Sequence, residues 1–159
     1  MIERTLVLLK PDAVERGLVG KIIERFELVG LKIVAMKMVK VDENISKKHY
    51  KEHVDKPFYQ SIEEYITSGP VLAMVLEGVH AVEVVRKLVG PTEPRKAQPG
   101  TIRGDFAHVS YAYADNKKIA VKNLIHASDS VESANYEISV WFKEDEIISY
   151  ESVHEKHVL

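Results

Sequence analysis

Two stretches, Thr5 to Leu9 and Val71 to Leu76, run through β-branched and aliphatic residues with no polar alternation. A strand with one wet face alternates apolar and polar side chains, so an unbroken apolar run of this length reads as a strand covered on both faces. The first run stops at Lys10-Pro11-Asp12, where the proline ends it, and the second is bounded by Gly69-Pro70 and Gly78. Around them the hydrophobic period changes. Val19, Ile22, Ile23, Phe26 and Val29 fall at helical spacing, which predicts a helix over 19–29 with Gly30 as its C-cap. Val82, Val85 and Val89 do the same for 81–89, where Gly90-Pro91 is a clear stop.

Leu31 to Val41 reads as a second strand and Ile119 to Ile125 as a fourth, with two short helical stretches at 46–53 and 60–67. Asp129-Ser130-Val131-Glu132 has capping-box spacing and starts a last helix near Asp129, striped by Val131, Ala134, Ile138 and Trp141. Residues 91–107 show no periodicity and read as a long loop. Strands and helices in this order predict a βαββαβ α/β sandwich, with helices packed on a sheet. The length of 159 residues suits one domain with one sizeable core.

Composition narrows the function classes. Lys and Arg number 22 against 24 Asp and Glu, so no global charge advertises a nucleic-acid groove or an anionic membrane surface. The absence of cysteine excludes disulfides, thiolate zinc ligands and thiol catalysis. No apolar run approaches the roughly 18 residues of a spanning helix, and no signal-peptide pattern is present, which places the chain in the cytoplasm.

Three motif matches fail on inspection. Gly17-Leu18-Val19-Gly20-Lys21 has too few residues between its glycines for a phosphate-binding P-loop, and apolar Leu18 and Val19 at its tip do not suit an RNA-clamping loop. His49-Tyr50-Lys51-Glu52-His53 has the order of an inverted zinc peptidase motif but no evident third ligand, so both histidines read as solvated helix-face residues. His80, His108, His154 and His157 read as surface residues.

His126 differs, because it ends an apolar strand just before a helix N-terminus, where unpaired N–H groups stabilise anions and where Ser128 and Ser130 add hydroxyl donors. A neutral imidazole beside a bound phosphate is a candidate nucleophile. Glu137, three residues after Ala134 and four before Trp141, lies along the apolar stripe and points inward; it suits either a salt bridge or an imidazole whose tautomer it fixes. Lys10, Arg86 and Arg103 supply cations at a strand end, a helix stripe edge and the long loop.

Leu9-Lys10-Pro11-Asp12, the stretch Gly100 to Phe106 and the stretch Asn123 to Ser130 closely resemble the signature segments of nucleoside diphosphate kinases, in the right order over nearly the whole chain. The resemblance implies a ferredoxin-like core over 1–159 and a Mg²⁺-dependent, ping-pong transfer of the γ-phosphate from a nucleoside triphosphate to a diphosphate. His126 aligns with the histidine that carries the phosphate. The family further implies that Lys10 and Asn123 hold the ribose hydroxyl and nearby phosphate oxygens. Arg86, Thr92 and Arg103 would grip the phosphates, Phe58 would stack on the base, Tyr50 would support the site, and Glu137 would orient the imidazole. It also implies that Mg²⁺ rides on the nucleotide with no dedicated protein ligands, and that the chain forms a homo-oligomer, a tetramer or a hexamer. The alternative class is a catalytically idle binding module that kept the fold, which the intact Lys10, Arg86, Arg103, Asn123 and His126 set argues against.

Two departures stand out. Ala127 follows the histidine where the family usually has glycine, and 108–118 is longer than the usual connection, as a hairpin at a subunit contact or a lid. The second wall of the base site is thereby left open, with Ala120 the nearest residue by offset.

Overall fold

A computed structural model describes all 159 residues. The unbroken apolar run near the start forms β1 (Ile2–Leu9), the longer one β3 (Pro70–Val79), and the pair lies antiparallel at the centre of a four-stranded sheet. β2 (Lys32–Lys40) adds to the free side of β3 and β4 (Ile125–Ala127) to the free side of β1, giving the order β2-β3-β1-β4. This is the antiparallel ferredoxin-like α+β arrangement.

Period-two alternation sends Val7 and Leu9 into one core, with Leu72, Met74 and Leu76, and Leu6 and Leu8 into another, with Val71, Ala73 and Val75. The first core is closed by α2 (Val19–Glu27), through Ile22 and Phe26, and α5 (Ala81–Val89), through Val85 and Val89. The second is closed by Ile66 of α4 (Tyr59–Thr67) and by Ile138 and Trp141 of α8 (Val131–Trp141). Leu6 to Leu9 are wholly buried, as a strand covered on both faces requires.

Several elements differ from expectation. Residues 119–124 are not a strand, because Leu124 has φ 70° and the Ile125 N–H donates to the Asn123 carbonyl at 2.8 Å, a tight γ-turn that no ladder accommodates. β4 therefore holds only three residues. The last helix is capped by Ser130 and not Asp129: Ser130 Oγ accepts from the Ser133 N–H at 3.0 Å. Asp42 plays that part for α3 (Glu43–His49), which starts and ends earlier than its pattern suggested.

The long loop contains a 3₁₀ turn (Pro94–Lys96) and α6 (Ile102–Phe106), capped by Thr101. Residues 108–118 are no hairpin, since Ser110 Oγ accepts from the Tyr113 N–H and starts α7 (Tyr111–Lys117). Short α1 (Pro11–Glu15) follows β1 directly, with Pro11 at its first turn, where a missing N–H costs nothing. α2 stops at Glu27, leaving Val29 exposed. The tail ends in α9 (Glu155–Val158). No helix is long and apolar enough to cross a membrane.

Candidate active site

The antiparallel pairing of β1 with β4 sets His126 opposite Leu8, two residues before Lys10. Both side chains enter one open cleft of about 740 Å³, within the range of small-molecule sites. The same cleft is lined by Tyr50, Phe58, Arg86, Thr92, Arg103, Asn123 and Glu137, whereas Ser128 and Ser130 do not line it. These side chains come from β4, α5, α6, α8 and four connecting segments.

At His126, Glu137 Oε2 lies 3.0 Å from the imidazole Nε2 and accepts a 2.5 Å bond from Ser128 Oγ. An ionised carboxylate only accepts, so the imidazole proton sits on Nε2 and Nδ1 keeps its lone pair. Nδ1 makes no hydrogen bond within the chain. The serines do not serve the phosphate as expected from sequence: Ser128 is spent on Glu137 and the Leu6 backbone, and Ser130 on its own helix cap.

The cationic side is built around Lys10. Its Nζ donates to Asn123 Oδ1 at 2.8 Å, while Asn123 Nδ2 donates to the Thr92 carbonyl at 2.9 Å, which fixes the amide orientation. Burial, reinforced by the nearby Arg103 charge, pushes the Lys10 pKa down to about 7. Arg103 is itself lowered to about 10 by burial. Its guanidinium donates to the carbonyls of Asn123, Gly90 and Ile125, so it ties the end of α5 to the start of β4 before any ligand arrives. Arg86 and Thr92 are exposed at the cleft wall. Phe58 is 48 % exposed, a ring face open to a planar ligand. Ala120 lines the cleft together with Ile119 and Val121. Burial, with Glu137 nearby, raises the Tyr50 pKa, so its phenol stays protonated.

Sequence reasoning missed Asp12, Tyr65 and His49. Asp12 accepts from Tyr65 Oη at 2.5 Å and from the Leu124 N–H at 3.1 Å, and so pins the γ-turn that carries Asn123. Tyr65 places its ring 5.2 Å from Lys10 Nζ. His49 is buried rather than solvated, because α3 turns it against the His126 ring, where the Trp141 indole binds it. His53 lines the cleft with a buried Nδ1 that has no partner. The zinc-peptidase order of these two histidines is not realised: His49 groups instead with His126 and Glu137.

The family model described as nucleoside diphosphate kinase matches residues 3–147. The chain is 57% identical over 148 residues to a nucleoside diphosphate kinase of Pyrococcus horikoshii, covering 93% of this chain and 90% of that protein. Among solved structures, it resembles a transition-state mimic of the nucleoside-diphosphate kinase from Borrelia burgdorferi with bound vanadate and ADP. That match has a TM-score of 0.95 and 46% identity, and covers 98% of this chain and 96% of the other. A halophilic nucleoside diphosphate kinase from Halobacterium salinarum in complex with CDP matches with a TM-score of 0.89 and 42% identity, over 100% of this chain and 99% of the other.

Proposed function

The chain belongs to the nucleoside diphosphate kinase family, and from that premise we propose that its phosphotransfer runs through a phosphohistidine on His126, within one kinase domain spanning 1–159. The enzyme is a transferase with nucleoside diphosphate kinase activity. The observation that carries the proposal is the Glu137–His126 bond, which holds Nε2 and leaves the Nδ1 lone pair to the cleft.

Nδ1 attacks the γ-phosphorus in line. An N–P bond forms as the bond from phosphorus to the bridging oxygen breaks, and the nucleoside diphosphate leaves with that electron pair. The imidazole becomes electron-poor while Nε2–H still donates to Glu137, whose negative charge stabilises the change. A second diphosphate then attacks the phosphohistidine by the reverse path. Most of the barrier reduction in such a transfer comes from positioning and charge neutralisation. Arg86, Thr92 and Arg103 supply these at the phosphates, and Lys10 and Asn123 at the ribose hydroxyl and adjacent oxygens. Tyr50 contributes a protonated phenol beside the nucleophile.

Phe58 stacks on the base, and Ile119, Ala120 and Val121 form the facing wall. Neither wall offers a hydrogen-bonding edge from its side chains, so the site accepts every common base. Mg²⁺, when carried by the nucleotide, would supply charge neutralisation at the phosphates, held mainly by their oxygens and water. The donors present fit that mode: Glu137 is occupied, the imidazoles are poor partners for a hard cation, and Asp129 and Glu132 at the cleft suit metal-bound water.

We further infer a cytoplasmic homo-oligomer, tetramer or hexamer. The position of β2 at the edge of the sheet and the exposed Met36, Met38 and Leu28 support association.

The test is incubation with ATP labelled at the γ-position. Wild type takes up acid-labile, base-stable label, and His126→Ala takes up none. Turnover by His126→Ala, purified free of host enzyme, would sink the assignment.

A further inference from the structure

His49 is a buried histidine to which the chemistry above gives no part. It ends α3, is 8 % exposed, and meets the rings of Tyr50, His126 and Trp141 edge to face, with centroids 4.6, 4.6 and 5.6 Å away. Trp141 Nε1 donates to His49 Nδ1 at 3.1 Å. An indole nitrogen only donates, so His49 Nδ1 must present its lone pair, and a neutral ring then carries its proton on Nε2. Burial, followed by the neighbouring His126, Lys10 and His53, holds the His49 pKa well below its ordinary 6.5.

That bond also decides how the surrounding cluster is read. One ligating atom each from His49, His126 and Glu137 lies within 4.8 Å of the others, a donor set of the kind that zinc accepts. With Nδ1 committed to the indole, His49 has only Nε2 to offer, and that nitrogen is protonated. Ligation would force the proton onto Nδ1, directly against the indole N–H. The geometry favours an uncharged ring used as a support over one used as a ligand.

We propose that His49 is a positioning residue for His126. Trp141 locks it as the Nε2–H tautomer. Its ring then stands across the His126 imidazole, 86° from it, and holds that imidazole in the plane where Nε2 meets Glu137 and Nδ1 is left to the cleft. The need arises because one hydrogen bond at Nε2 leaves the imidazole free to swing about its Cβ–Cγ bond, and in-line attack tolerates little swing. The inference rests on His126 as the phosphate carrier, and its failure would leave that assignment standing.

Two substitutions divide the contributions. His49→Asn removes the ring but offers an amide oxygen to the indole; His49→Phe keeps the ring and removes the acceptor. Single-turnover phosphorylation by ATP should slow by about 10- to 100-fold in His49→Asn, the scale set by misplacing a reacting group by up to an ångström. ADP affinity should stay unchanged, and His49→Phe should recover most of the rate. Nitrogen-15 spectra of the wild-type imidazoles should show the His49 proton on Nε2. Wild-type rates in His49→Asn, a His49→Phe variant no faster than His49→Asn, or a proton on Nδ1 would each overturn the proposal. Should His49→Phe fail to fold, His49→Asn and the wild-type spectra decide the matter. His126→Ala in the same assay tests the carrier separately, since label on that variant condemns the carrier assignment whatever the His49 variants do.

Discussion

Lys10 sits where a cation is needed and where water is scarce. With its pKa pushed down to about 7, it is mostly neutral at pH 8 until a phosphate arrives to stabilise the ammonium form. ADP binding at pH 8 is therefore expected to take up close to one proton, and binding at pH 6 almost none, because there the lysine is already charged. Calorimetry in two buffers of different ionisation enthalpy reads this directly, and Lys10→Met should abolish the uptake. Glu137 makes the complementary case. Glu137→Gln keeps an acceptor for His126 but loses the charge. Phosphohistidine formation should slow by roughly 10- to 1000-fold, as when a positioned group contributes about 1.4 to 4 kcal/mol, with ADP affinity unchanged. Equal single-turnover rates would show that the carboxylate is only structural. The inward position of Glu137 could be read from its helical stripe, since the stripe is a local pattern. Asp12, Tyr65 and His49 could not, because Leu124, Asp12 and Trp141, which define them, are 112, 53 and 92 positions away.

Local patterns also governed which elements could be foreseen. The helix Ala81–Val89 was readable in full, because a regular apolar stripe ends at Gly90, whose φ of 85° suits a residue without a side chain. The stretch 119–124 has strand-like composition yet is diverted, because distant groups claim its backbone. Asp12 takes the Leu124 N–H, and Arg103 takes the Asn123 and Ile125 carbonyls. Ser110 and Thr101 are good cap residues, but the helices they start, 7 and 5 residues long, are too short to show a period. The Arg103 fork is what Arg103→Lys removes. A lysine keeps a charge for phosphate but cannot donate to three carbonyls in fixed directions. Urea unfolding should show a loss of about 2 to 4 kcal/mol, from charged hydrogen bonds forfeited and buried carbonyls left unpaired. An unchanged midpoint would mean that the guanidinium does not tie α5 to β4.

Under the proposed function, the charged and amide groups lining the cleft would hold the parts that all nucleotides share, phosphates and ribose, and Phe58 and an apolar wall would meet the variable part. Purine and pyrimidine diphosphates are expected to be phosphorylated with modest preferences. Competition among the four common diphosphates checks this, and a preference beyond about a thousandfold, or 4 kcal/mol, would demand hydrogen bonds to a base edge that the two walls do not supply.

The pairing of the first strand with the last has a temporal meaning. Ser128 reaches back 122 positions to Leu6, and His126 lies opposite Leu8. A ribosome delivers β1 first and β4 more than a hundred residues later, so β1, apolar on both sides, waits unpartnered until β3 emerges. His126 and Lys10 meet only after nearly everything between them has been made. A chain still short of β4 has therefore not assembled the cleft, whatever else of the sheet has already formed.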